Sequence, residues 1–187
     1  NSRVGQLNTL ARRSVRAGAK VLIVGGRGSM GTLFGRCFTQ SDYEVRILDV
    51  NDWPRVKELT SGIDLALLAV PIPVTAAVAR QLGPQLPSSC VLSDITSLKE
   101  EALQAMLQAH AGPVVGLHPL FGPGTVSMDK QIIVASPGRD FPACVRFSTS
   151  TAPSARICSA ANLPSMIFAV ILHHLLNVST IIQLLNP

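Results

Sequence analysis

Four apolar residues, Val21-Leu22-Ile23-Val24, run straight into Gly25-Gly26-Arg27-Gly28-Ser29-Met30-Gly31, and an apolar-periodic segment follows at once. No other stretch restricts the fold as tightly. A buried strand, a tight glycine turn and a helix, in that order, open an α/β unit whose turn can cradle a phosphate. In the spacing Gly26-x-Gly28-x-x-Gly31, the first glycine allows the turn and the second lets a pyrophosphate approach the backbone. The third lets the new helix pack close to its strand. Ser29 and Met30 open that helix, whose N-terminus offers free N–H groups and a partial positive charge.

Glycine turns are common, and such a turn beside a surface acid also fits an ordinary loop, so the context carries the weight. A second strand-like run, Glu44-Val45-Arg46-Ile47-Leu48, ends at Asp49, about twenty residues beyond the glycines, where a dinucleotide fold needs an acid. A carboxylate there accepts the ribose hydroxyls of NAD and repels the 2′-phosphate of NADP.

The rest of the chain repeats the alternation. The first helix is expected over residues 29–40, with Met30, Leu33, Phe34, Cys37 and Phe38 on one face, and Ser41-Asp42-Tyr43 forms a turn. Asp52 is placed to cap a helix that tolerates Pro54 in its first turn. Residues 63–70 are a nearly continuous apolar strand, stopped by Pro71-Ile72-Pro73 at what would be the ligand edge of an open sheet. A helix over 74–82, a strand over 90–94, a helix over 98–109 with Leu98, Leu103, Met106 and Leu107 inward, and strands over 113–117 and 131–135 follow. Strands and helices alternating at intervals of about 20–30 residues predict a doubly wound parallel sheet of Rossmann type.

Composition narrows the function. Hydrophobic residues make up 47% of the 187, ample for a core, while aromatics at 4% give little support for nucleic-acid binding by base stacking. The four cysteines, Cys37, Cys90, Cys144 and Cys158, have no metal-ligand spacing and read as reduced thiols of a cytoplasmic protein. The net charge of +5 belongs to residues 1–20, where Arg3, Arg12, Arg13, Arg16 and Lys20 stand without an acid. The remainder is neutral, so there is no basic face. The opening segment is expected to be a basic linker rather than a transit peptide.

After Asp140 the character changes: residues 141–187 carry only Arg146 and Arg156 as charged side chains. Residues 163–185 are long and apolar enough to span a bilayer, but His173, His174, Asn177 and Gln183 interrupt them and flanking anchors are absent. A helix buried against another subunit or domain is the expectation, and a frame-changed or truncated tail is the alternative. The expected boundaries are 1–20 linker, 21–145 nucleotide domain and 146–187 apolar tail with a short helical appendage. His173 and His174 are adjacent, point to different faces, and make a poor metal pair.

Candidate chemistry lies where strands end. His118 follows the strand 113–117, where a neutral imidazole can take a proton from a substrate hydroxyl while hydride leaves. A structural histidine in a Pro/Gly loop is the other reading. Ser97 and Lys99 follow the strand ending at Asp94. Ser97 would serve equally as a helix N-cap, and Lys99 as a solvated helix residue. His110 ends a helix, where an imidazolium suits the dipole.

The motifs Gly25–Gly31, Tyr43–Leu48, Val70-Pro71-Ile72-Pro73-Val74-Thr75, Ser93-Asp94-Ile95-Thr96-Ser97-Leu98-Lys99 and Gly116-Leu117-His118-Pro119-Leu120-Phe121-Gly122-Pro123 together resemble the prephenate dehydrogenase part of the bifunctional T-proteins, which join it to a chorismate mutase. The resemblance runs from about residue 20 to 140. It implies NAD-dependent oxidative decarboxylation of prephenate to 4-hydroxyphenylpyruvate in tyrosine biosynthesis, with arogenate as a runner-up substrate. It implies cofactor contacts by Gly26, Gly28, Ser29, Met30, Gly31, Asp49, Val70, Pro71 and His110, the last beside the nicotinamide. His118 would be catalytic on the ring hydroxyl, Ser97 would orient it, and Lys99 would lie near the substrate. It also implies a homodimer built by a helical domain that supplies a carboxylate-binding arginine. No residue here takes that arginine's role, so a non-catalytic NAD-binding fragment stands as the second expectation.

Overall fold

The computed structural model describes residues 18–128, 131–140 and 156–159. Seven strands form one sheet: β1 (Lys20–Val24), β2 (Glu44–Leu48), β3 (Leu65–Leu68), β4 (Val91–Asp94), β5 (Val114–Pro119), β6 (Ile132–Pro137) and β7 (Arg156–Ser159). Their order is β2-β1-β3-β4-β5-β6-β7. The first five are parallel, β6 runs antiparallel to β5, and β7 is parallel to β6. Helices α1 (Ser29–Gln40), α2 (Val56–Leu59, entered through a 3-10 turn at Trp53–Arg55), α3 (Ile72–Leu82) and α4 (Glu100–Ala109) connect them.

The sheet is covered on both sides, which explains its uninterrupted apolar strands. Strand residues alternate between two cores. Leu22, Val24, Ala66, Leu68, Leu92 and Val114 face α2, α3 and α4 and pack with Leu59, Ala76, Ala79, Leu82, Ala105 and Met106. Val21, Ile23, Leu65, Leu67, Val91, Val115 and Leu117 face α1 and pack with Phe34 and Phe38. Phe38 meets Tyr43 edge-on at 5.5 Å, which fixes the turn between α1 and β2. In that turn Asp42 takes the left-handed conformation (φ 61°), which aspartate tolerates better than most side chains. At the far end of the sheet Arg139 closes α4: its guanidinium donates to the carbonyls of Leu107, His110 and Gly112.

Several expectations change. The sheet is not wholly parallel, because β6 returns antiparallel beside β5. Helix α3 begins at Ile72 rather than 74, with Pro73 inside its first turn, where a missing N–H costs nothing. Asp52 occupies the N-cap position but makes no capping bond. Leu98 is 53% exposed, because it precedes α4 rather than lying on its inner face. Ala102, Ala105 and Met106 fill that face, and Leu103 and Leu107 pack at its margin. His118 lies within β5, not after it. Residues 156–159 form β7 within the stretch assigned to the apolar tail, so the sheet continues past residue 145. The remaining expectations for the basic linker up to residue 17, for Cys144, for the apolar run 163–185 with its histidines, and for the helical appendage lie outside the described residues. Among the described residues no helix is long and apolar enough to cross a membrane.

Replacing Phe38, almost wholly buried, by alanine is expected to cost about 3–5 kcal/mol in urea unfolding, through lost transfer energy and the cavity left behind. Leu98→Ala is expected to stay within about 0.5 kcal/mol, since its side chain is half in solvent. Equal losses at the two positions would contradict this account of the core.

Candidate active site

The parallel strands end on one edge. At that edge stand the glycine turn after β1, Asp49 after β2, Val70 and Pro71 after β3, the Thr96–Lys99 loop after β4, and His118 near the end of β5. The order β2-β1-β3 means that successive connections diverge at β1, the switch point where open α/β sheets bind ligands.

The turn after β1 is held by backbone contacts that leave no room for a Cβ at Gly25 or Gly31. Gly25 has φ 77° and donates its N–H to Leu48 O at 2.8 Å, tying the turn to the end of β2. A Cβ on Gly25 would lie 2.7 Å from Ala69 O, so the turn also sits against the end of β3. A Cβ on Gly31 would lie 2.7 Å from Gly26 Cα and would overlap Gly25 O. Gly28 is exposed, and a Cβ there would meet only Gly25 O, so its outward side is open. No side chain caps α1. The first N–H groups of α1, at Ser29, Met30 and Gly31, therefore have neither intrahelical nor side-chain cap partners. An open glycine, an uncapped helix start and a carboxylate at the end of β2 fit a dinucleotide.

Asp49 is fixed by main-chain donors. Its Oδ2 accepts from Arg27 N at 3.2 Å and its Oδ1 from Val50 N at 2.9 Å. Asp52, read from the sequence only as a helix cap, lies beside it: Asp52 Oδ2 accepts from Asp49 N at 2.9 Å and from Arg27 Nη1 at 2.6 Å. The Arg27 guanidinium and the Asp49 N–H hold the Asp52 carboxyl below the usual range.

The second half of the site is built around Asp94, fully buried at the end of β4. Its Oδ2 accepts from Thr96 N at 3.0 Å, from Thr96 Oγ1 and from Lys99 Nζ. Thr96 Oγ1 lies 2.9 Å from Leu98 O and 3.3 Å from Lys99 Nζ. The Asp94 carboxylate and Lys99 thus clasp the loop 95–98 from both ends, with Ser97 part-exposed between them. Lys99 is not solvated: it is buried and ion-paired, and burial lowers its ammonium pKa while Asp94 opposes that shift. Ser97 is not the N-cap of α4, a position that Lys99 occupies. The Lys99 stem crosses β5 at Gly116, where a Cβ would lie 2.8 Å from Lys99 Cδ. Asp94 pairs in register with Gly116, so His118, two residues on, shares the sheet face of Asp94. The ring of Phe121, three residues later, lies 6.3 Å from Phe34 and ties the loop after His118 to α1.

His110 is not brought to this edge. It is buried at the end of α4, before β5, with Nε2 2.7 Å from Cys90 O and Nδ1 3.4 Å from Gly83 O. A carbonyl only accepts, so Nε2 carries a proton. Cys90 precedes β4, which places His110 at the amino edge of the sheet, a strand length of roughly 13 Å from His118 at ~3.3 Å per residue. Among the described residues no cluster of His, Cys, Asp or Glu could hold a metal ion.

Residues 39–137 match the family model described as the nucleotide-binding domain of prephenate dehydrogenase. The chain belongs to that family. It is 49% identical to the T-protein of Enterobacter agglomerans over 119 residues and 42% identical to that of Haemophilus influenzae over 120, covering 64% of this chain in each case. The chain spans about a third of those relatives, 32% of each. Among solved structures, prephenate dehydrogenase from A. aeolicus in complex with hydroxyphenyl propionate and NAD+ aligns with TM-score 0.63 and 16% identity, over 78% of this chain and 61% of that one. An imine reductase from Myxococcus stipitatus, with NAD+, aligns with TM-score 0.65 and 15% identity, over 90% of this chain and 63% of that one. These two likenesses show the fold, and the residues that match the family model run from the end of α1 through β6.

Lys99→Met is expected to cost about 3–5 kcal/mol, because it strands the Asp94 carboxylate in the core. Adding Asp94→Asn to Lys99→Met should recover part of that loss in urea unfolding. Strictly additive losses would mean that the two groups do not interact.

Proposed function

We propose that this chain is the NAD-binding part of a prephenate dehydrogenase, catalysing the oxidative decarboxylation of prephenate to 4-hydroxyphenylpyruvate in tyrosine biosynthesis. The observation that carries the reading is that the glycine turn, Asp49, the Ser97 loop and His118 share one edge of one sheet, within a chain of this family. Gly26, Gly28, Ser29, Met30 and Gly31 hold the pyrophosphate by backbone N–H groups, Asp49 takes the adenosine ribose, and Val70 and Pro71 wall the switch point. NAD bound there supplies the hydride acceptor.

This chain's residues align and polarise the substrate. His118 takes the proton of the ring hydroxyl as hydride leaves the same carbon. It returns that proton as the bonding pair of the departing carboxylate enters the ring, so carbon dioxide is lost and the phenol forms. Ser97, presented by the Asp94–Lys99 clasp, orients the hydroxyl toward His118. Lys99 serves as part of that clasp, since its Nζ is committed to Asp94. In this reading His110, bonded to the Cys90 carbonyl at 2.7 Å, takes a structural role rather than a nicotinamide contact. A small-molecule substrate, a cytoplasmic location and the homodimer expected of the full-length family complete this reading. The relatives extend well beyond the matched segment, which favours one second reading: a domain that binds NAD without turning over prephenate on its own.

Calorimetric titration with NAD, followed by prephenate and absorbance at the NADH band, separates these readings. Turnover is expected to fall about 10²–10⁴-fold in His118→Asn, with NAD affinity unchanged. Turnover that survives this substitution would remove His118 from the chemistry. Binding without turnover in the unaltered chain would establish the second reading.

A further inference from the structure

Arg27 occupies the first variable position of the glycine turn, and its side chain does not extend freely into solvent toward a ligand. It reaches across the turn to Asp52, with Nη1 2.6 Å from Oδ2. That carboxylate oxygen also accepts the N–H of Asp49, and Asp49 in turn accepts the N–H of Arg27. Arg27, Asp49 and Asp52 therefore form a closed ring of hydrogen bonds over the end of β2. The Asp52 side chain is mostly covered, while the Arg27 side chain is 60% exposed, so the guanidinium is accessible but tethered.

From this ring we infer that Asp52 is a specificity-determining residue: by holding Arg27 it withholds a cation from the adenosine 2′ position and so enforces NAD over NADP. The inference rests on the nucleotide reading of the glycine turn. A 2′-phosphate carries close to two negative charges at neutral pH. At the end of β2 it would meet the Asp49 carboxylate, a second carboxylate on Asp52, and one guanidinium already neutralising Asp52. The local balance is one net negative charge, with Nη1 of Arg27 committed to Asp52. Discharging Asp52 brings the balance to zero and frees the guanidinium, whose geometry matches a phosphate. A ribose diol needs only the Asp49 acceptor and does not depend on where Arg27 points. The charge on Asp52 and the side chain of Arg27 thus bear on the phosphorylated ribose, while the main-chain bonds to Asp49 serve both nucleotides.

The test is calorimetric binding of NAD and of NADP to the full chain and to Asp52→Asn, Arg27→Ala and the double variant. Asparagine keeps an oxygen for the Asp49 N–H, so the turn retains its backbone bond. Asp52→Asn is expected to bind NADP about tenfold more tightly than the unaltered chain, the scale of one unscreened charge contact, with NAD affinity held within about threefold. The double variant should lose that gain. An unchanged NADP affinity in Asp52→Asn overturns the inference. So does a gain that persists in the double variant, since charge removal alone would then explain it. If the unaltered chain binds neither nucleotide, the nucleotide reading fails and the inference falls with it. NAD binding by the unaltered chain with no NADP response in Asp52→Asn sinks the inference alone.

Discussion

The contact of Gly31 with Gly25 is the constraint on which the rest of the site depends. Backbone rests on backbone there, with no space for a single Cβ. That approach seats the start of α1 directly over the end of β1. It leaves the first N–H groups of the helix pointing out of the sheet edge and sets the angle at which Phe34 and Phe38 enter the core. Phe34 then reaches Phe121 in the loop after His118. One close contact at the first turn is in this way connected, through one helix, to the opposite wall of the site.

The other wall is organised by a charge rather than by a close approach. A carboxylate taken wholly out of water is costly unless paired and hydrogen-bonded. Asp94 offsets that cost at Oδ2 with Lys99 and the two donors of Thr96, while its Oδ1 has no hydrogen-bond partner among the described residues, and each of the Oδ2 bonds also fixes a position in the loop that carries Ser97. Gly116 belongs to the same arrangement, because only a residue without a side chain lets the Lys99 stem cross β5. The two walls are built from different physics, steric closeness at β1 and charge burial at β4. They meet on one edge because the five parallel strands all end there.

Much of this was readable along the chain. The bounds of α1 and β2, the inward face of α1 and the glycine turn follow from periods and spacings that are local. Local signals misled wherever a side chain's partner is distant in sequence or its size is small. Leu98 carries the apolar signal of a core residue yet stands in solvent, while Ala102 and Ala105 carry almost none and fill the inner face of α4. Lys99 looks solvated by residue type, and its burial depends on Asp94 and Gly116. Asp52 looks like a helix cap, and its carboxylate is taken by Arg27, twenty-five positions earlier. His110 and His118 stand only eight residues apart in sequence, yet a whole strand lies between them.

The sequence by itself determined most of the elements up to β6 and the chemistry of the nucleotide turn, because hydrophobic period, glycine spacing and a strand-terminal acid act over a few residues. Tertiary structure alone decided which residues share an edge. The direction of β6, the separation of the two histidines, the burial of Lys99 and the capture of Arg27 by Asp52 all arise from contacts between segments that no local pattern encodes. Strand direction and long-range ion pairing depend on how the chain crosses over the sheet. A parallel crossover and an antiparallel return can present the same alternation of apolar residues, so the choice between them is made only when the layers pack.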